Sequence, residues 1–286
     1  MNKIAIIYNP NARSAKIKKL LKIKERLSLK SSVTIYDTQK PGDATSIAKR
    51  ECKNFDIIVA AGGDGTINEV INGIDVNTKL GIIPLGTANI LAIEAGIKND
   101  VKSICKLIEK GNTKKIYISN INDKKFFLMA GIGYDGDIVH KMKPSLKKIF
   151  GKAMFGFLGL LEFFKLKKYN IKVETESETA FGNWVLVTNS KHYAGPYKIT
   201  KSTSIFNDSI VCYVFNDLSR LGFLYYIFLI IFYGDLSRSK KVTKIISKNI
   251  KISSKEKINV QCDGEKYGNL PIEINFSSES VNLLTA

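Results

Sequence analysis

Asp64 stands among three glycines in the stretch FDIIVAAGGDGTINEV, residues 55–70. Gly62, Gly63 and Gly65 carry no Cβ, so the backbone can take unusual dihedrals and approach a ligand closely. Successive N–H groups in such a turn, with the N-terminus of a helix behind them, favour an anion. A phosphate chain is the natural occupant. A carboxylate in that nest repels phosphate unless a cation comes with it, and Mg2+ held by Asp64, directly or through water, makes the arrangement useful. Thr66-Ile67-Asn68-Glu69 has capping-box form, with Thr66 capping the helix and Glu69 reaching back. For Glu69 a structural and a functional role stand level. The turn is neither GxxxxGK[ST] nor GxGxxG, so no P-loop lysine is present and polyphosphate binding rests on amides and metal.

The elements that must hold this turn are legible in the first half. KIAIIYN, SVTIYDT, DIIVAA and KLGIIPLG are short apolar runs with turn residues after them, as buried strands require. SAKIKKLLKIKERL, GDATSIAKREC and VKSICKLIEKG have helical spacing, the second starting at Pro41-Gly42-Asp43 and the third closed by Gly111. Strands alternating with helices predict a doubly wound, mostly parallel α/β sheet with ligands at the carboxyl ends of its strands. The glycine turn ends the third strand. YNPNAR (Tyr8 to Arg13) ends the first, Thr38 the second, and PLGTANILA (Pro84 to Ala92), with Gly86 and Thr87, the fourth. Three polar or glycine-bearing turns on one rim are a constellation rather than an accident.

Near residue 115 the pattern changes. KKIYISNIN and KKFFLMAGIGYDGDIV read as a strand pair around Asn122-Asp123, and a basic, apolar helical stretch follows, SLKKIFGKAMFGFLGLLEFFKLKK. YNIKVET, NWVLVTNS, SIVCYVF, Lys257 to Cys262 and LPIEINF then read as short strands with turns between them, the mark of an antiparallel sandwich. The expectation is two domains: residues 1–120, α/β, and 121–280, mainly β, with about 281–286 returning to the first. By residue pattern alone, CDGEKYGN is a hairpin turn.

Composition bounds the rest. The chain has 286 residues and a formal net charge of +18. It is drawn to polyanions, whether nucleic acid, anionic lipid or phosphorylated small molecules, and a generally lysine-rich composition accounts for the charge equally well. No nucleic-acid recognition motif is present, so nucleic acid is not expected as a partner. Cys52, Cys105, Cys212 and Cys262 form no CxxC pair, and with His140 and His192 as the two histidines neither a zinc site nor a disulfide framework is expected. The N-terminus is not a signal peptide. LGFLYYIFLIIFYG, Leu221 to Gly234, is shorter than the ~20 residues of a spanning helix and reads as buried or membrane-grazing. A cytoplasmic location follows as the expectation.

NP after the first strand, GGDGTINEV after the third and PLGTAN after the fourth resemble, in that order and spacing, the diacylglycerol kinase catalytic domain family, in particular soluble bacterial lipid kinases related to sphingosine kinases. FLMAGIGYDGDIV, SIFNDSIVCYVF and CDGEKYG extend the likeness over the whole chain, whereas NAD kinases and phosphofructokinases share a GGDG-type turn but not the PLGTAN element with this C-terminal half. The resemblance implies an ATP- and Mg2+-dependent transfer of the γ-phosphoryl group to a lipid hydroxyl, diacylglycerol or a relative, in a cleft between the domains. It implies that Asn9, Pro10, Asn11, Ala12, Arg13, Thr38, Gly62, Gly63, Asp64, Gly65, Thr66, Ile67, Asn68, Glu69 and Thr87 contact ATP. It makes Asp263 of the triplet Asp263-Gly264-Glu265 the general base, with Glu265 joining Asp64 in a Mg2+ and water network. It implies a structural Mg2+ on Asp208 and the carbonyls of Ile205 and Ile210.

The chain departs from the family in four places. Ala12-Arg13-Ser14 replaces a small Ser-Gly pair, Ser209 stands where glycine is usual, Ile90 follows Asn89 in place of Asp, and HYAGPYK has fewer glycines. A lipid substrate implies peripheral contact with an anionic membrane. Phe150, Met154, Phe155, Phe157, Leu158, Leu161 and Phe164 are candidates for an acyl pocket or lipid contact, or else the covering of the β-domain core. A homodimer is compatible with the sequence. The alternatives are a kinase of a soluble metabolite such as NAD, and a non-catalytic nucleotide- or lipid-binding regulator of the same fold.

Overall fold

The computed structural model describes residues 1–10, 17–142 and 152–285, without the side chains of 152–157 and 278. The chain forms two compact units, residues 1–118 with 279–286, and residues 119–278.

The first unit is built from β1 (Asn2–Tyr8), α1 (Ile17–Ser28), β2 (Ser31–Asp37), α2 (Asp43–Glu51), β3 (Ile57–Gly62), α3 (Asp64–Gly73), β4 (Lys79–Pro84), α4 (Ile90–Glu94) and α5 (Val101–Lys110), after which the chain enters β5 (Thr113–Ile121). The sheet runs β2-β1-β3-β4 and every pairing in it is parallel. Ile4 to Tyr8 and Ile57 to Ala61 are all buried, as strands covered on both faces must be. Helix ends follow local chemistry. Asp100 caps α5 by accepting from the Ser103 amide at 2.8 Å, and Gly111 ends it at φ 66°. Gly42, at φ 89°, precedes α2.

The second unit holds β6 (Lys124–Phe126), β7 (Met129–Ile132), α6 (Tyr134–Lys141), α7 (Lys152–Phe164), β8 (Ile171–Glu174), β9 (Thr179–Gly182), β10 (Trp184–Thr188), the short β11 (His192–Tyr193) and β12 (Tyr197–Lys198), β13 (Ile210–Phe215), α8 (Arg220–Phe232), β14 (Val242–Ser247), β15 (Asn249–Ser253), β16 (Asn259–Cys262), β17 (Glu265–Asn269) and the first part of β18 (Ile272–Leu284). Six strands form an antiparallel sheet in the order β14-β13-β10-β7-β16-β17. The first half of β18 pairs antiparallel with β15, β15 with β8, and β8 with β9. Inward residues of both layers, such as Ile132, Val187 and Cys212 from one and Ile171, Ile252 and Ile274 from the other, make one sandwich core. From residue 279 on, β18 belongs to the first unit, where it runs parallel to β4, Asn282 against Lys79.

The fold is therefore α/β followed by an antiparallel β-sandwich. Residues 119–126 form the expected hairpin around Asn122-Asp123. Beyond it the reading of 124–139 as one strand is corrected: β7 stops at Ile132, Gly133 turns the chain at φ 87°, and α6 begins. The capping box at Thr66 is corrected as well. The helix starts three residues earlier, its cap is Gly63, and Thr66 lies inside its first turn.

Candidate functional site

At the carboxyl rim of the parallel sheet, two glycine turns lock onto each other. The Leu85 and Gly86 amides both donate to Gly62 O, at 2.8 and 3.1 Å. A Cβ on Gly86 would lie 2.4 Å from Gly63 Cα, and one on Gly62 would meet the Thr66 side chain at 2.4 Å. Gly63 has φ −95° and ψ −175°, which any residue can adopt. The bareness of these positions thus serves first to let the turns after β3 and β4 touch.

That packing fixes the start of α3. Its cap, Gly63, has no side chain with which to accept the first-turn amides, and the first helical bond runs from the Ile67 amide to Gly63 O at 3.1 Å. The amides of Gly65 and Thr66 therefore face outward at the positive end of a ten-residue helix. Thr66 is buried, and its Oγ1 accepts from Asn9 Nδ2 at 3.2 Å, which ties the end of β1 to this turn. The Thr38 amide donates to Tyr8 O at 2.9 Å, holding the end of β2 on the same rim. Pro10 and Thr87 are exposed. Asn11, Ala12 and Arg13 lie outside the described residues. Ile67 is fully buried and its amide is committed, so it offers no group at the rim.

Asp64 and Glu69 do something the sequence did not reveal. Asp64 Oδ1 accepts from the Leu91 amide at 3.2 Å, so the carboxylate sits at the N-terminus of α4, whose own cap, Asn89, is left-handed at φ 51°. Burial raises the Asp64 pKa, and the amides of Ile90, Leu91 and Asn89 pull it back down. Asn89 Nδ2 donates to Gly86 O at 3.0 Å, while its Oδ1 is buried with no partner among the described residues. An orphaned acceptor beside a carboxylate, at the mouth of two outward amides, is a donor set that fits a polyphosphate with its cation. Glu69 is committed to another helix. Its Oε2 accepts from the Ala44 amide at 3.1 Å, in the first turn of α2. It is a cap, but of a different helix from the one expected.

The second unit carries the other candidates. Asp263 and Gly264, at φ 49° and 79°, form the two-residue loop between β16 and β17, with Cys262 opposite Glu265. The Asp263 carboxylate accepts three backbone amides: Leu128 and Met129 on Oδ1, each at 3.0 Å, and Phe127 on Oδ2 at 3.1 Å. Glu265 is exposed. Asp208 lies in an exposed turn, Ile205 is buried before it, and Ile210 opens β13. Among the described residues no group of three or more His, Cys, Asp or Glu side chains gathers as a metal cluster.

Sequence reasoning gave no role to Asp135 and Asp137, in the first turn of α6. Both are buried. Asp135 accepts from Trp184 Nε1 at 3.0 Å and from the Tyr193 hydroxyl, and burial raises its pKa to about 6. Asp137 accepts from the Tyr169 hydroxyl at 2.6 Å and Asn259 Nδ2 at 2.7 Å. Their signal was present as two carboxylates at i and i+2 after a glycine-ended strand.

Of the apolar residues expected to meet lipid, Phe150, Met154, Phe155 and Phe157 lie outside the described side chains. Leu158 packs on the second unit's helix-covered core, while Leu161 and Phe164 are exposed. No helix of the described residues is long and apolar enough to cross a membrane.

Comparison with known proteins agrees with this layout. Residues 3–121 match the diacylglycerol kinase catalytic domain, and residues 129–285 match the YegS C-terminal NAD kinase beta sandwich-like domain. A diacylglycerol kinase of Staphylococcus aureus (strain bovine RF122 / ET3-1) is 31% identical over 279 residues, which cover 93% of this chain and 87% of that one. A Bacillus anthracis str. Sterne structure described as a diacylglycerol kinase superimposes with TM-score 0.79 at 21% identity, covering 100% of this chain and 97% of that one. An NAD kinase from Archaeoglobus fulgidus in complex with ATP shares the fold more distantly, with TM-score 0.56 at 16% identity, covering 99% of this chain and 93% of that one. Two domain matches in consecutive order, and one relative aligned along nearly the full length, give a single assignment: the chain belongs to the diacylglycerol kinase catalytic-domain family.

Proposed function

We propose that the protein is a lipid kinase that moves the γ-phosphoryl group of ATP onto a lipid hydroxyl, diacylglycerol being the first substrate to test. The observation that carries the nucleotide half is the open N-terminus of α3, where the Gly65 and Thr66 amides face outward with no capping side chain on Gly63. Asp64 and Asn89 Oδ1 would hold the accompanying Mg2+, which neutralises charge on the phosphates when bound. Asn9 and Thr66 keep the first and third turns in register around the phosphates.

The lipid hydroxyl oxygen attacks the γ-phosphorus, the bond to the β–γ bridging oxygen breaks, and ADP leaves. The hydroxyl proton goes to a carboxylate, and Asp263 is the proposed acceptor. Three amides pin its two oxygens, so the group is held in one orientation, as general-base catalysis requires. Glu265, exposed beside it, would orient cation-bound water.

The second reading is a kinase of a soluble metabolite such as NAD, favoured by the fold likeness to an ATP-bound NAD kinase. One assay separates the two. Purified protein receives γ-labelled ATP and Mg2+ with either diacylglycerol in mixed micelles or NAD in solution. Label in the organic extract is the expected result. Label on NAD with none in lipid would overturn the proposal.

A further inference from the structure

α8 is apolar around its whole circumference, RLGFLYYIFLIIF, yet one side of it is left uncovered. Phe223, Tyr226, Leu229 and Ile230 are buried, the first, second and fourth of them against Trp184, Phe215 and their neighbours. The opposite side carries Leu221, Leu224, Tyr225, Phe228, Ile231 and Phe232, and the two end residues of that set are 81% and 70% exposed. At 3.6 residues per turn and 1.5 Å per residue these six fall within about 120° of arc, on a face about 17 Å long. The exposed rings stack on each other, Phe228 with Phe232 at 4.9 Å and Tyr225 with Phe228 at 6.4 Å. A contiguous apolar stripe of this kind is uncommon on a surface that meets only water.

The charges at its ends say what covers it. At the N-terminal end the Arg220 guanidinium reaches the Phe164 carbonyl at 3.4 Å, which brings the exposed Phe164 and Lys165 beside it. At the other end Arg238 stacks over the Tyr233 ring at 4.2 Å, and exposed Lys198 adjoins Gly234, where an added Cβ would stand 3.1 Å from Lys198 Cβ. No acidic residue occurs on the helix. Of the acids flanking the helix, Asp217 pairs with Lys241 at 2.5 Å, and Asp235, which accepts from the Ser237 amide and hydroxyl, leaves Arg238 and Lys198 in excess at its end. Two copies of the chain meeting stripe to stripe would bring these cations together in either orientation, on a chain that already carries +18. An anionic bilayer matches both the apolar stripe and its basic ends.

We infer that the outer face of α8 docks the protein on an anionic bilayer. The helix, 13 residues long, is too short to span and lies in the plane of the interface. Its rings enter the headgroup boundary while Arg220, Lys165, Arg238 and Lys198 meet lipid phosphates. This docking stands on the exposure pattern and charge, independently of which group is phosphorylated.

All four native cysteines are buried, so a single introduced thiol reports selectively. Phe228→Cys, labelled with a polarity-sensitive dye, is mixed with phosphatidylglycerol/phosphatidylcholine vesicles; Leu29→Cys, exposed in the first unit, is the control. Emission from position 228 shifts blue and that from position 29 does not, and added salt weakens the response. A Leu224→Ser/Phe228→Ser protein, which still folds and melts within a few degrees of the parent because both side chains are about half exposed, partitions about tenfold or more weaker. No blue shift with anionic vesicles, or equal shifts at both positions, would overturn the inference. So would a shift that appears without vesicles and tracks a dimer mass in light scattering, because the stripe would then belong to a second copy.

Discussion

The molecule uses one local pattern twice and to opposite ends. In the first unit β3 ends at Gly62, Gly63 turns the chain, and α3 opens with Asp64 in its first turn. In the second, β7 ends at Ile132, Gly133 turns the chain, and α6 opens with Asp135 and Asp137 in its first turn. Around α6 the space is filled by protein. A Cβ on Gly136 would stand 2.0 Å from Asn259 O, one on Gly131 would meet Asp135 and Gln261, and both carboxylates are spent on Trp184, Tyr193, Tyr169 and Asn259. Around α3 the glycines serve to bring two turns together, and the helix start is left with outward amides, a half-buried carboxylate and an Asn89 oxygen that has no partner among the described residues. A strand–glycine–helix turn does not by itself make a ligand site. What distinguishes one is that the described residues around it leave it unfilled.

The sharpest way to break that contrast is at the glycines. Gly136→Ala places a methyl group on a backbone carbonyl that cannot move alone, and the second unit is expected to lose its cooperative melting transition. Gly63→Ala adds a methyl 3.2 Å from Gly86 Cα; it should fold, melt only a few degrees lower, and lose affinity for ATP in calorimetry. Equal melting losses for the two variants would remove the distinction between filled and open turns.

Asp263 comes next. Asp263→Asn keeps the shape of the group and loses its proton acceptor, with kcat for lipid phosphorylation expected to fall roughly 10²–10⁴-fold. Asp263→Ala also releases the amides of Phe127, Leu128 and Met129 and should cost about 1–3 kcal/mol of stability in urea unfolding. If the Asn variant kept wild-type kcat, Asp263 would be a tether for the hairpin and no more.

The filled turn has its own optical reporter. Trp184 is the single tryptophan, and its indole donates to Asp135. Burial raises the Asp135 pKa from 3.8 to about 6, so the folded state holds this proton more tightly than the unfolded chain. The stability tied to this group is greatest below pH 3.8 and falls as pH rises to about 6. Trp184 emission should titrate with a midpoint near that upper value, and Asp135→Asn should abolish the titration. The smallest effect is expected at Glu69. Glu69→Gln weakens the charged cap on α2 and should lower stability by about 0.5–1 kcal/mol, with the KM for ATP unchanged. A raised KM would return Glu69 to the nucleotide site.

Much of this contrast is legible in the sequence. β1, β3 and β4 are near-continuous apolar runs, and the turns after them name themselves by Asn-Pro and glycine. The hairpin at Asp263-Gly264 follows from its dipeptide. What could not be read is long-range. Glu69 looked like the reciprocal half of a capping box, but its partner amide belongs to Ala44, on another helix. Asp64 looked like a bare metal ligand, and its partner Leu91 lies 27 residues on. The glycines were read as room for phosphate, whereas Gly63 and Gly86 are bare because they touch each other. The strand-like reading of 124–139 followed apolar residues through Gly133, where only the positive φ reveals the break. β9, β14, β15 and β17 went unread because their outward faces are polar and their inward residues few.

The central claim is that the open turn, and not its filled counterpart, receives the nucleotide. Amide chemical shifts recorded on labelled protein through an ATP·Mg2+ titration test it most directly. The account predicts saturable shifts concentrated at the Gly65 and Thr66 amides, with those of Gly136 and Asp137 unmoved. Shifts centred on residues 131–137, or none at Gly65 and Thr66 at saturating ATP, would contradict it.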